Sequence, residues 1–232
     1  MSVILTAQPG RGEKIHLLVN GQYIATTDKT RWYSFGLPDK SEIDEDQLAE
    51  LLEIAAEGRM YEKALDLLTQ REYSRKELAD KLVQKAARKK RPDRDIRDFG
   101  VTDASFSDII LDAQKTDYAK LRQQANDVCD KLEEQGLLSD ERFARMFAEE
   151  KLRTKHLSAR GLKTALQQKG ISRELADNVV EDLNPDPEEA IRELLQTKYR
   201  SRDLSDERDR RRTIQALQRL GYTYSEITSV IQ

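Results

Sequence analysis

The clearest chemical signal in this chain is a run of basic residues between positions 151 and 173. The run contains seven Lys and Arg residues and no Asp or Glu, although the whole chain has a net charge of −3. Helix surfaces ordinarily mix charges of both signs, so this run indicates a face that binds phosphates or acidic side chains. The competing interpretation is an ordinary solvated helix face. The seven residues are Lys151, Arg153, Lys155, Arg160, Lys163, Lys169 and Arg173.

A second basic stripe lies closer to the carboxyl end of the chain, where three acids within residues 206–209 dilute it. Aromatic residues are sparse near both stripes, which argues against the base stacking used by single-strand binding platforms. Contacts to phosphates or to acidic side chains fit the composition better. The stripe consists of Arg208, Arg210, Arg211 and Arg212.

Residues that could perform catalysis are scarce. The chain has two His, His16 and His156, and one Cys, Cys129. It contains no HxxxH or CxxC pattern and no glycine-rich loop before a helix. Its acidic pairs are adjacent in sequence, and adjacent side chains diverge on a helix. We therefore expect a protein that is not an enzyme and that uses no metal and no cofactor.

Composition indicates a helical protein with much solvated surface, because 38% of residues are apolar and 36% are charged. No apolar run approaches the length of a membrane span, and the first residues lack a signal-peptide pattern. A soluble, cytoplasmic protein without a membrane partner is expected. Classic major-groove reading is not expected, because residues 172–182 contain four acids and one Arg.

Internal repeats set the architecture that must position the basic run. Residues 158–180 align with residues 209–231 at an offset of 51, and residues 74–85 align with the first half at an offset of 84. Each copy has a polar helix cap followed by an apolar stripe at helical spacing. Helices that cannot bury an apolar face alone must stack on their neighbours, so the repeats predict an elongated helical array.

The remaining elements follow from local patterns. Short strands are predicted at 3–7, 15–19 and 22–26, with a hairpin turn at Asn20-Gly21. Everything from about residue 44 onward is predicted to be helical, with a break at Gly58 and a charged loop at 86–100. We divide the chain into an N-terminal β-hairpin extension (1–43), a linker helix and repeat one (44–135), repeat two (136–186) and repeat three (187–232). Repeat one carries an inserted charged segment at about 86–118.

These repeats resemble those of the RecX family, the regulators of the RecA recombinase. Residues 136–172 carry the most specific part, GLLSDERFARMFAEEKLRTKHLSARGLKTALQQKGIS, with LTQREYSRKELADKLVQK at 68–85 and ALQRLGYTYSEITSVI at 216–231. The N-terminal strands are similar to an extension that some members carry. The inserted segment is the main departure from the family pattern.

The resemblance implies tandem three-helix repeats in an elongated, curved array that is mostly α, preceded by a small three-stranded sheet. It also implies a monomeric regulator of RecA. Such a protein binds the groove of the RecA filament on single-stranded DNA, with weak direct DNA contact, and limits filament assembly, ATP hydrolysis and strand exchange in DNA repair and the SOS response. The residues expected to form the contact surface are Lys155, Arg160, Lys163, Lys169, Arg208, Arg211 and Arg212, with Arg142 and Arg145 in a second tier.

Two other functions remain open at this point. The same basic run would serve a nucleic-acid-binding protein that acts without a recombinase, or a scaffold that docks an acidic protein. A filament regulator should prefer recombinase-coated DNA strongly over bare DNA. A scaffold should bind neither.

Overall fold

The computed structural model describes residues 2–87 and 117–231. Residues 88–116, which contain most of the predicted charged insertion, lie outside the described residues. The chain forms two compact units. The first comprises the residues up to Arg71 together with Leu78–Gln135, and the second comprises Glu72–Glu77 together with the chain from Gly136 onward.

An antiparallel sheet of four strands forms the start of the first unit. Its strands are β1 (Ser2–Pro9), β2 (Lys14–Val19), β3 (Gln22–Asp28) and β4 (Lys40–Asp44), in the order β3-β2-β1-β4. The prediction of three strands is therefore corrected to four. The fourth strand has the sequence KSEID and carries one inward apolar side chain, Ile43, which lies opposite Val3 of β1. Its charged residues suit a sheet edge. With a single inward apolar residue, the segment has no alternating apolar pattern from which a strand could be predicted.

The apolar face of this sheet packs against helices of the same unit. These helices are α1 (Lys29–Ser34) and α2 (Glu45–Leu68). Helix α2 also packs against α4 (Tyr118–Glu134), while α3 (Arg75–Ala87) begins in the second unit. Trp32 is 1% exposed and Phe35 packs beside it, whereas Tyr33 remains in solvent. The core contains Val3, Leu5, Ala7, Ile15, Leu17, Val19, Ala25, Trp32, Ile43, Leu48, Leu51 and Ala55.

Gly58 does not end a helix, contrary to the sequence-based prediction. Helix α2 continues through it, and the absence of a side chain at this position leaves room for the guanidinium of Arg31. A Cβ at position 58 would lie 2.7 Å from Nη1 of Arg31. Arg31 is held there by Asp28, whose Oδ2 lies 2.5 Å from the same Nη1. A packing requirement from another element explains this glycine.

Six helices build the second unit from Gly136 onward within the described part of the chain. They are α5 (Asp140–Lys155), α6 (Ala159–Gln168) and α7 (Arg173–Leu183), followed by α8 (Pro187–Gln196), α9 (Glu207–Arg219) and α10 (Tyr224–Val230). We call α5–α7 repeat two and α8–α10 repeat three. Ser139, Ser158 and Ser172 cap the helices of repeat two through their side-chain oxygens, as their sequence positions predict.

Each of these repeats has its own apolar core. The repeat-two core is built around Leu162, Leu166, Ile171 and Val179, and Leu166 is fully buried. The repeat-three core contains Leu217 and Tyr222, and Leu217 is also fully buried. The apolar stripe at helical spacing in each copy predicts a buried helix face, and Leu162, Leu166 and Leu217 of these stripes are fully buried.

Candidate interaction surface

The segment GLLSDERFA at 136–144 forms a joint between the start of α5 and the start of α3. Gly136 adopts φ +69°, which turns the chain after α4, and Leu138 is buried. Ser139 caps its own helix, whereas Asp140 accepts a hydrogen bond from the backbone N–H of Arg75 at 2.7 Å. The most distinctive motif of the sequence therefore has a structural explanation.

Arg142 completes this joint. Its Nε donates to Oε1 of Glu72 at 2.7 Å, and its Nη2 donates to Oε2 of the same carboxylate at 3.3 Å. The guanidinium also donates to the backbone carbonyls of Gly136 (3.3 Å) and Leu137 (3.0 Å). A planar guanidinium that satisfies two carbonyls and a carboxylate is held in one orientation. This side chain is less available to a partner than an unpaired one.

A second contact recurs along the array, between a helix cap and the turn of the following repeat. The buried Ser74, at the start of α3, donates from Oγ to the carbonyl of Lys169 at 2.6 Å. At the equivalent place one repeat later, the backbone N–H of Ser158 donates to the carbonyl of Leu220 at 3.1 Å. The offsets of 84 and 51 found in the sequence relate these two pairs. The repeated pattern thus encodes the joint as well as the helices.

Glycines allow the chain to approach closely at both joints. Gly170 adopts φ +88°, and a Cβ there would lie 2.5 Å from Cβ of Lys76. Gly221 adopts φ +97°, and a Cβ there would lie 2.5 Å from the backbone nitrogen of Gly161. A Cβ on Gly161 would lie 2.3 Å from the carbonyl oxygen of Leu220. The second joint is therefore a contact of backbone with backbone.

Tyr222 adds a side-chain hydrogen bond to the joint between Gly161 and Leu220. Its hydroxyl donates to the backbone carbonyl of His156 at 2.8 Å, and His156 ends α5 in the left-handed conformation with φ 48°. Burial raises the pKa of Tyr222 to about 12, and the nearby Glu226 carboxylate acts in the same direction. The folded state therefore favours the neutral form of the Tyr222 phenol.

We predict that this phenol makes the fold sensitive to alkali. Because the pKa is raised in the folded state, its contribution is complete below the ordinary value near 10 and is lost as the pH rises through 12. The loss should reach about 2 kcal/mol in the free energy of unfolding. Urea unfolding at mildly and strongly alkaline pH, compared between the wild type and Tyr222→Phe, measures it. Parallel pH profiles for the two proteins would contradict the prediction.

The nine predicted contact residues fall into two groups by their ion pairs. Lys155, Arg160 and Arg208 are exposed, and the described residues provide no ion pair for any of them. The other six are paired. The pairs are Lys163 with Asp177, Lys169 with Glu77, Arg211 with Glu207, Arg212 with Asp209, Arg142 with Glu72 and Arg145 with Asp182.

Three of the paired residues can be released at little cost. Lys163 Nζ lies 2.7 Å from Asp177, and both side chains are more than one-third exposed. The hydrogen bond from Lys163 holds the pKa of Asp177 below its ordinary value. Arg211 and Arg212 pair with acids of their own helix, at spacings of four and three residues. Exposed pairs of this kind contribute about 0–1 kcal/mol, so a phosphate or another carboxylate can replace the acid.

Lys169 has an aromatic contact in addition to its ion pair, whereas Arg145 has an exposed ion pair alone among the described residues. Lys169 Nζ lies 2.6 Å from Glu77 and 5.8 Å from the ring centroid of Phe147. Arg145 Nη2 donates to Asp182 at 3.0 Å, which joins α5 to α7. Lys169 therefore contributes to the packing of repeat two as well as to its surface charge.

Three exposed cations that have no ion pair among the described residues lie where α5 ends and α6 begins. Arg153 and Lys155 lie in the last turn of α5, and Arg160 lies in the first turn of α6, beyond the cap Ser158. Cations in a last turn are favoured by the carbonyl end of the helix dipole. Arg153 was not among the nine chosen residues, although the basic run contains it. Arg219, exposed in the last turn of α9, was also missed, and its last-turn position was the available signal.

The described residues contain neither a metal-binding cluster nor a membrane-spanning helix. Within 2–87 and 117–231, no group of three or more His, Cys, Asp or Glu side chains could hold a metal ion. No helix of these ranges is both long enough and apolar enough to cross a bilayer. Cys129 is buried on α4.

Comparison with known sequences places these repeats in a family. Models of the first, second and third three-helix domains of RecX match residues 61–87, 139–180 and 186–231, in that order. This chain belongs to the RecX family. The first RecX domain matches only the end of α2 and α3, and its match stops where the undescribed segment begins. The second and third domains coincide with α5–α7 and α8–α10.

Individual relatives agree with the domain matches. A "Regulatory protein RecX" of Caldanaerobacter subterraneus subsp. tengcongensis is 23% identical over 215 residues, covering 92% of this chain and 87% of the relative. One of Halorhodospira halophila is 26% identical over 173 residues, covering 75% and 86%. A crystal structure of regulatory protein RecX superposes with a TM-score of 0.62 at 18% identity, covering 99% of this chain and 98% of that one. This last likeness supports the RecX fold.

Proposed function

We propose that this chain regulates the RecA recombinase by binding the filament that RecA forms on single-stranded DNA. In this role it limits filament assembly, ATP hydrolysis and strand exchange during DNA repair and the SOS response, as a cytoplasmic monomer without catalytic activity of its own. Its membership of a family of regulatory proteins supports the general role. The finer proposal is carried by the exposed cations Arg153, Lys155 and Arg160 at the α5–α6 corner, which form no ion pair within residues 2–87 and 117–231.

These cations suit an anionic partner for a physical reason. A cation that already has an acidic partner must exchange it on binding, whereas an unpaired one only gives up bulk water and counterions. A filament offers both phosphates and acidic side chains at its surface, so the corner fits either component. Arg208 supplies a further unpaired cation on α9, and Lys163, Arg211 and Arg212 can join after releasing exposed acids.

The test is hydrolysis of ATP by RecA on single-stranded DNA, with this protein titrated below the amount of RecA. We expect inhibition at amounts well below one copy per RecA subunit, because a protein that limits filament assembly affects many subunits per copy. Absence of any effect would refute the proposal. Inhibition only at amounts that saturate the DNA would instead favour a nucleic-acid-binding protein that acts without the recombinase.

Binding to bare DNA separates these two readings further. Affinity that depends only on phosphates falls with salt by about 0.7 log units per log unit of salt for each phosphate neutralised on a single strand. A filament regulator should bind RecA-coated DNA more tightly than bare DNA at the same salt concentration. Equal affinity for the two would contradict the filament proposal.

A further inference from the structure

We propose that Gly161 is a positioning residue that holds the cations of repeat two at a fixed separation from those of repeat three. The fixed separation lets both groups engage one extended partner at the same time. This inference rests on the proposed function, because the partner is taken to be the RecA filament. Gly161 itself touches no partner in this scheme and acts through the cations on either side of the joint.

The closest approach in the Gly161 joint is between backbone atoms, and the Ser158 side chain beside it is held in its helix cap. The carbonyl oxygen of Leu220 occupies the space where a Cβ of Gly161 would stand, and Gly221 faces Gly161 with a second missing Cβ. Two hydrogen bonds flank the contact, from Ser158 N–H to Leu220 and from the Tyr222 hydroxyl to His156. A backbone contact fixed by hydrogen bonds on both sides has one spacing.

The other joint of the same type is built differently. There the glycine, Gly170, meets the side chain of Lys76, and Glu77 stands where repeat two has Gly161. Lys169 and Glu77 form an ion pair across that joint. Side chains can adopt other rotamers, so this joint tolerates adjustment that the Gly161 joint does not. The difference singles out the Gly161 joint as the rigid one.

The cations are attached directly to this rigid contact. Arg160 precedes Gly161 in α6, and Arg219 precedes Leu220 at the end of α9. Both are exposed, and neither forms an ion pair with another residue of the described ranges. Any movement of the Leu220 carbonyl relative to Gly161 therefore changes the separation of Arg160 and Arg219.

Alanine at position 161 would force such a movement. A carbon approaches a carbonyl oxygen to about 3.3 Å at closest in ordinary contacts. The 2.3 Å available at Gly161 means that the two backbones must separate by about 1 Å. Two linked patches gain affinity from simultaneous contact only while their spacing matches the partner. Gly161→Ala should therefore uncouple the patches and leave each of them intact.

A thermodynamic cycle on RecA filaments tests this coupling. In the wild-type background, Arg219→Glu should weaken inhibition of RecA ATP hydrolysis by about 10-fold, because the second patch is lost. In the Gly161→Ala background, where that patch is already disengaged, the same change should weaken inhibition by less than about 2-fold. If Gly161 served folding alone, Gly161→Ala would reduce the active fraction equally with and without Arg219→Glu, and Arg219→Glu would keep its 10-fold effect. An unchanged 10-fold effect would therefore overturn the proposal.

Gly136→Ala is the matched control for the cost of losing a glycine. Gly136 has φ +69°, so alanine strains the backbone there, yet its Cβ would meet nothing within 4 Å. Arg219→Glu should retain its full effect in this background. Loss of the effect in the control as well would show that reduced stability, and not the spacing at Gly161, abolishes the coupling, which would overturn the proposal.

A distance measurement between α6 and α9 tests the spacing at the Gly161 joint without RecA. Spin labels on Thr164→Cys in α6 and Gln215→Cys in α9 occupy exposed positions, while Cys129 is buried and protected from labelling. Gly161→Ala should lengthen or broaden the distance distribution by at least about 1 Å, and an unchanged distribution would overturn the proposal. If the wild type fails to inhibit RecA but the distance shifts, the filament function fails while the joint stands.

Discussion

Replacing Lys155 and Arg160 with glutamate is expected to weaken the inhibition of RecA filaments by about 100-fold, or about 2.7 kcal/mol. Both side chains are exposed and have no ion pair in the described part of the chain, so their reversal removes attraction to an anionic partner and introduces repulsion. The melting temperature should remain that of the wild type, because no intramolecular ion pair is lost. Titration of RecA ATP hydrolysis together with a thermal melt measures both quantities.

A matched control changes the same net charge elsewhere. Arg11→Glu with Lys14→Glu reverses two exposed cations of the first unit, and neither forms an ion pair with a residue in 2–87 or 117–231. This variant should inhibit RecA as the wild type does. Equal losses in both double variants would show that overall charge, not the α5–α6 corner, governs binding. Lys163 is unsuitable for the test, because a glutamate there would face Asp177 and lower stability.

Leu166→Ala and Leu217→Ala are expected to lower the free energy of unfolding by about 2–5 kcal/mol each. Both side chains are fully buried, and the offset of 51 makes them equivalent positions of repeats two and three. Each alanine leaves a cavity in a core that belongs mainly to one repeat. Urea unfolding gives the overall loss for each variant.

Hydrogen exchange shows where the loss occurs. Stability in a repeat array is a sum of repeat and interface contributions, so each change should expose its own repeat most. Leu217→Ala should reduce protection in α8–α10 more than in α5–α7, and Leu166→Ala should do the reverse. The same loss of protection in all six helices for both variants would indicate one cooperative block. Gln167→Ala, next to Leu166 but exposed, should change stability by less than about 0.5 kcal/mol.

The helices and their order were predictable because their signals are local. Ser158, Gly170 and the apolar residues between them lie within one helix and its caps, so their spacing alone defines α6. The repeats then supplied the architecture. Strand β4 was not predictable in this way, because KSEID becomes a strand only through pairing with β1. Gly58 was misread for a related reason, since its partner Arg31 comes from a different element.

The candidate surface was predictable only as a region. The basic run contains the cations that are exposed at the α5–α6 corner, but charge patterns do not reveal ion pairs between elements. Glu141 and Glu149 are the acids that lie near Arg142 and Arg145 in sequence. The partners of these arginines are instead Glu72 and Asp182, which the fold brings to them from other segments.

The GLLSDERFA motif serves an internal joint and not the candidate contact surface. Asp140 and Arg142 form hydrogen bonds with Arg75, Glu72 and backbone carbonyls. The exposed cations of the α5–α6 corner lie outside this motif. Searches keyed to the motif therefore select proteins that share an internal scaffold. The cations at the α5–α6 corner can change without disturbing this scaffold, so the motif by itself does not identify the partner that these cations bind.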